Sequence, residues 1–226
     1  NAALIKKKYN EAIKNGTLQK GDTWTGNIMG VIASTRGNTN HIFGADSTNA
    51  ATQTQTNLAG RKCVLRLLKF FKTIPGGEKA SINKMMNETA SRETYRIKGE
   101  TMITVHDYTS GRVFEDALCY SFYPIDLHDE KGVVPRHLKH GTVPTIPRGA
   151  LIPKGSKNIM VAGRCVSSDR LANSAARVQA SSMGMGQAAA VTAVLAARLK
   201  TTPGEVPLEK IHAELKKHKA IVPARS

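Results

Sequence analysis

The stretch NIMVAGRCVSSDRLANSAARVQASSMGMGQAAAVTAVLAARL, residues 158–199, decides the fold. Ile159, Met160, Val161 and Ala162 form an unbroken apolar run, the pattern of a strand buried on both faces in a parallel sheet. Gly163 ends the run, and glycine there lets the backbone approach a ligand with no Cβ in between. Arg164 follows at once and can fork onto an anion at the C-terminal end of such a strand. The small-residue sequence from Met183 predicts a helix whose first turn holds Gly184 and Gly186 and which runs to Leu199, about 24 Å. Its alanines allow close packing on a sheet. Its first-turn N–H groups carry roughly half a positive charge. Strand, glycine turn and helix together predict an α/β fold that holds an anionic ligand against backbone amides.

Working outward, a chain of 226 residues can bury a core and form one or two domains. No apolar run approaches the roughly 18 residues of a membrane span, so the sequence predicts no transmembrane helix and no membrane partner. The three cysteines, Cys63, Cys119 and Cys165, are odd in number and lack CxxC spacing. That argues against a zinc site or a disulfide framework, and it predicts a reducing, cytoplasmic setting without a metal. Lys and Arg number 33 against 17 acids, a net charge of +16, which favours anionic partners. The tight basic runs are KKK (6–8) and KKHK (216–219), and aromatics make up 5% of residues, too few for a nucleic-acid stacking platform. A solvated basic surface is favoured over nucleic-acid binding. The chain opens at Asn1 with no secretory pattern, which predicts a processed N-terminus or a piece of a longer polypeptide.

Residues 2–15 read as a helix with Ile5, Tyr9, Ala12 and Ile13 on one face and Gly16 as its stop. Residues 21–44 read as strands and turns, and 46–55 as a polar loop. Residues 57–72 carry a helical stripe of Val64, Leu67, Leu68 and Phe71. Residues 96–105 suggest two strands around Gly99. The segment YPIDLHD (123–129) has an extended entry at Pro124, with Ile125 and Leu127 on one side and Asp126 and His128 on the other. Histidine moves protons near neutral pH and a nearby aspartate can fix its tautomer, so this pair is an acid–base candidate; a structural histidine at a strand edge, with Asp129 starting a turn, is the competing reading. A last helix over 207–219 places Leu208, Ile211, His212 and Leu215 on one face.

Several segments, taken in order, carry a resemblance: SRETYRIKG (91–99), YPIDLHD (123–129), IP and ALIP (146–147, 150–153), VAGR (161–164), RV (177–178) and MGQAA (185–189). Over residues 42–223 the chain resembles the FAD-dependent oxidoreductases related to the flavoprotein subunits of fumarate reductase and to glutathione-reductase-like flavoenzymes. Members of that family open with a strand, a Gly-x-Gly-x-x-Gly turn and a helix that seat the ADP part of FAD. This sequence contains no such turn. The resemblance therefore implies a C-terminal portion: residues 1–150 as part of a substrate-side domain, and 151–226 as the returning strand and helix of a Rossmann-like FAD domain with a terminal helix. The missing N-terminal half, or a partner chain bearing it, is implied as a partner.

The resemblance also implies roles. Gly163 and Arg164 would face the FAD phosphates or ribityl chain, and the backbone of Met185, Gly186, Gln187 and Ala188 the flavin's pyrimidine edge. If a helix N-terminus there supplies about 1–2 kcal/mol, the two-electron potential rises by roughly 20–40 mV. Ser174 and Arg177 would contact flavin or substrate. Arg92, Glu93 and Arg96 sit in an Arg-Glu motif, with Arg92 a catalytic candidate beside His128 and Asp126; an ion pair joining the two domains is the competing reading. Hydride transfer between FAD and a small, anionic organic substrate is the implied activity. A non-catalytic basic interaction module derived from a flavoprotein is the alternative, and oligomerisation stays open.

Overall fold

In the computed structural model, which describes residues 2–23, 27–33, 40–92, 94–128 and 135–224, the chain divides into two units. The first comprises Asn1–Thr94 with His128–Gly132; the second comprises Tyr95–Leu127 with Val133–Ser226. The expected domain boundary at 150/151 falls inside the core of the second unit, where Ala150 and Leu151 are both fully buried.

The first unit is helical. Helix α1 (Ala2–Lys14) stops at Gly16, whose φ of 78° ends it as the sequence suggests. A 3₁₀ turn (Lys20–Thr23) leads to α2 (Ile28–Ala33), where the sequence had suggested strands. Gly30 does not break this short helix, because packing of the buried Ile28 outweighs its propensity cost. Helix α3 (Ala50–Phe71) begins well ahead of residue 57, because Asn49 caps it by accepting from the Thr52 amide at 3.0 Å. Its buried stripe is Thr56, Gly60, Cys63, Leu67 and Phe70, rotated by about one residue from the expected one. Small residues on that face let the neighbouring chain come close. Phe70 meets Tyr9 edge-on at 6.3 Å, and the Tyr9 hydroxyl pairs with Thr23 Oγ1 at 2.8 Å.

The second unit mixes helix and strand. Helix α4 (Val105–Ser110) carries a capping box between Thr104 and Asp107. Strands β1 (Ala117–Tyr120) and β2 (Thr145–Pro147) pair antiparallel, with an irregularity between Ala117 and Cys119. The two strands expected around Gly99 are instead isolated bridges, Gly99 to Pro153 and Ile103 to Ser168. Then come α5 (Arg170–Ala176), α6 (Gln179–Leu199) and α7 (Leu208–Lys217). Helix α6 packs on β1 and α7 through Ser181, Met185, Ala188, Thr192 and Ala196. It is long and apolar enough to cross a membrane by length and composition alone, unlike the sequence expectation, yet this stripe is buried in the unit's own core. Buried hydroxyls tie three elements together: Tyr108 to Ser121 at 3.0 Å, and Ser121 to Ser181 at 2.7 Å. Helix α7 buries Ile211, His212 and Leu215 as expected, and His212 Nε2 lies 2.8 Å from the Ala117 carbonyl.

Two expectations for the opening stretch need correction. Residues 159–162 form no strand: Ile159 is 57% exposed, and the Val161 amide donates to the Leu151 carbonyl at 2.8 Å. An apolar run becomes a strand only beside a pairing edge, and the described sheet consists of β1 and β2. Helix α6 starts at Gln179, not near Met183, so the amides of Met185, Gly186, Gln187 and Ala188 belong to the interior hydrogen-bond ladder rather than to a free first turn.

Candidate functional site

Two clusters bring expected site residues together, one in each unit. In the second unit, Gly163 adopts a φ of 91°, and a Cβ built there would meet Ser182 Oγ at 3.9 Å and Ser182 Cβ at 4.0 Å. The glycine turn therefore runs beside the first turn of α6. Val178, the N-cap, makes no side-chain capping bond, and the amides of residues 179–181 precede the helical ladder. Donors at the positive end of a 21-residue helix thus lie next to a backbone position that only glycine occupies without strain.

Helix α5 supports this turn. Asp169 caps it by accepting from the Ala172 amide at 2.8 Å. The fully buried Asn173 donates to the Arg164 carbonyl and to Ser168 Oγ, each at 3.1 Å. Its Oδ1 is buried and has no hydrogen-bond partner among the described residues. An orphaned amide oxygen costs about 1–3 kcal/mol. A donor from a bound group would relieve that cost.

The rest of the expected cofactor set is split. Ser174 is fully buried; its hydroxyl accepts from the Asp126 amide at 3.1 Å and donates to the Leu171 carbonyl at 2.7 Å. It anchors the 123–126 segment from inside the core. Arg177 closes α5 and donates to the Asp126 carbonyl at 3.4 Å. Met185 and Ala188 are core residues. Gln187 lies about 140° round the helix from Ser182. With Gly184, Leu118, Cys119 and Tyr120 it lines a separate cavity of about 860 Å³. Burial pushes the Cys119 thiol up to about 12, so it stays protonated and inert there.

In the first unit, His128 and Arg92, each a candidate in the sequence, lie side by side, and His41, which the sequence reading did not single out, joins them. Arg92 Nη1 lies 3.3 Å from His128 Nε2, and His128 Nδ1 lies 3.1 Å from His41 Nε2. The two imidazole rings lie 21° from parallel with centroids 5.2 Å apart, and the Phe43 ring lies 17° from parallel to His41 at 6.0 Å. The two His128 ring nitrogens face His41 and Arg92. The Asp126 backbone is held by Ser174 and Arg177. Glu93 and the turn expected at Asp129 lie outside the described residues. No group of three or more His, Cys, Asp or Glu able to hold a metal occurs among the described residues.

Burial, then the charges of His128 and Arg92, push His41 down from 6.5 to about 4. A depressed folded value means the unfolded chain binds the proton first. The His41 contribution to stability is therefore complete above about 6.5 and lost as pH falls toward about 4. Urea midpoints across that window are expected to fall with pH, and His41→Gln is expected to flatten the slope. A wild-type midpoint that is level between these values would contradict the burial of a neutral His41.

A family model described as FAD dependent oxidoreductase matches residues 4–215. Comparison with curated proteins and with solved structures gave no match.

Proposed function

The chain belongs to the family of FAD-dependent oxidoreductases, with FAD as its cofactor, and we propose that its second unit holds the flavin at the start of α6. The observation that carries this placement is the approach of Gly163 to Ser182 beside an uncapped helix N-terminus. The amides of residues 179–181 donate to an anionic oxygen, and the exposed Arg164 forks onto a phosphate. Asn173 Oδ1 accepts from a ligand hydroxyl or N–H. Ser174 and Arg177 hold the segment at Asp126 against α5. The chain has no Gly-x-Gly-x-x-Gly turn, so the ADP end is assigned to a further segment or partner chain that carries one.

Bound FAD supplies the two-electron acceptor or donor for hydride exchange with a small organic substrate. The net charge of +16 supports an anionic one. His128 takes or gives the accompanying proton, and Arg92 orients its ring and binds the substrate's negative charge. Replacing His128 with Asn is expected to slow flavin reduction by a panel of small 2-hydroxy carboxylates roughly 10²–10⁴-fold, with flavin per chain unchanged. Anaerobic stopped-flow of the assembled protein reads this directly; a reduction rate equal to that of the wild type would remove His128 from the chemistry.

A further inference from the structure

The ring nitrogens of His128 are both engaged, and the donors fix where its proton sits. An arginine side chain donates and never accepts. His128 Nε2, 3.3 Å from Arg92 Nη1, is therefore the acceptor, and the ring proton lies on Nδ1. That Nδ1–H points to His41 Nε2 at 3.1 Å, which must then be the unprotonated nitrogen of His41. We propose that His41 is a positioning residue for His128: it accepts the Nδ1 proton and, with Arg92 on Nε2, holds the ring neutral, in one tautomer and one orientation. This rests on the reading of His128 as the acid–base group.

The physical case has three parts. The two imidazole rings, 21° from parallel with centroids 5.2 Å apart, meet edge to edge, as an in-plane Nδ1–H to Nε2 bond requires, and the near-parallel Phe43 ring beside His41 limits rotation of the accepting ring. A proton added to either ring would put a cation beside both the other imidazole and the Arg92 guanidinium, a like-charge cost that favours the neutral pair. Burial of His41 adds to that cost. The consequence for chemistry is a masked base. The His128 Nε2 lone pair is covered by Arg92 until the guanidinium turns to an anion. A substrate carboxylate would supply that anion, and Nε2 would then take a proton while Nδ1–H stayed on His41.

Histidine ¹⁵N spectra of the full chain at pH 7, assigned with His128→Gln, test the proposal without any flavin. A pyrrole-type Nδ1 and a pyridine-type Nε2 are expected for His128. His41→Gln, whose amide oxygen still accepts, is expected to keep that signature, and His41→Phe to collapse it to a tautomer average. A wild-type His128 that is protonated on Nε2, averaged or cationic overturns the proposal, as does an unchanged signature in His41→Phe. Because the spectrum needs no cofactor, failure of the flavin placement would leave it intact, so the two readings fail separately.

Discussion

Arg66→Met is expected to destabilise the first unit by about 3 kcal/mol. Arg66 sits on the outer turn of α3 and grips Asp22 with two bonds, Nε to Oδ2 at 2.7 Å and Nη2 to Oδ1 at 2.6 Å. The Asp22 side chain is 3% exposed and that of Arg66 24%, so removing the arginine strands a buried carboxylate while water reaches only part of the gap. This places the cost at the low end of the range for breaking a buried pair. Burial alone would raise the Asp22 carboxyl; bonds from Arg66 and the Gln19 amide outweigh it and hold it below its ordinary 3.8. The sign follows: the pair stabilises fully above about 3.8 and the contribution is lost as pH falls below it. Urea titration at neutral pH reads the loss. Asp22→Asn combined with Arg66→Met is expected to recover part of it, since no unpaired charge then remains. A single variant within about 0.5 kcal/mol of wild type, the scatter of ordinary surface changes, would show that the pair carries little.

Gly163→Val is expected to weaken FAD retention about ten- to hundredfold. A φ of 91° is open to glycine and strained for a β-branched residue, at a cost of about 1–3 kcal/mol. Each 1.4 kcal/mol corresponds to about tenfold in affinity. A shift of the turn that relieved this strain would change its approach to Ser182, beside the start of α6. Gly186→Ala is the informative control. Gly186 lies inside α6, and a Cβ there meets nothing within 4 Å. Alanine at that position should strengthen the helix by about 0.5–1 kcal/mol and leave FAD in place. If the flavin sat against the backbone of residues 185–188, as the sequence suggested, the two variants would exchange roles. Fluorescence of FAD released on denaturation measures both.

Which of these features the sequence exposes follows from the range of the forces involved. Helices α1 and α7 are legible because an amphipathic stripe is local: Tyr9 and Ala12, then Ile211, His212 and Leu215, recur at helical spacing and are buried as read. The helical type of α6 is legible too. Its start is not, because Gln179, Ala180 and Ser181 show no apolar period and Val178 is not a capping residue. Residues 159–162 read as a strand from composition, but pairing depends on a distant edge that composition does not report. Ser174 is a serine in a small-residue helix, and only the structure shows its hydroxyl turned inward to the Asp126 amide. His41 is the clearest omission: it lies 87 residues from its partner His128, in a polar segment with no motif. His128 was singled out by its alternation with Asp126 and Arg92 by the resemblance, and neither gave a reason for the two to touch.

FAD released per chain, compared between wild type, Gly163→Val and Gly186→Ala, bears most directly on the placement of the flavin beside Gly163 and the start of α6. About one FAD per chain in wild type and in Gly186→Ala, with marked loss in Gly163→Val, is the expected result. Full retention in Gly163→Val, with loss in Gly186→Ala, would contradict it.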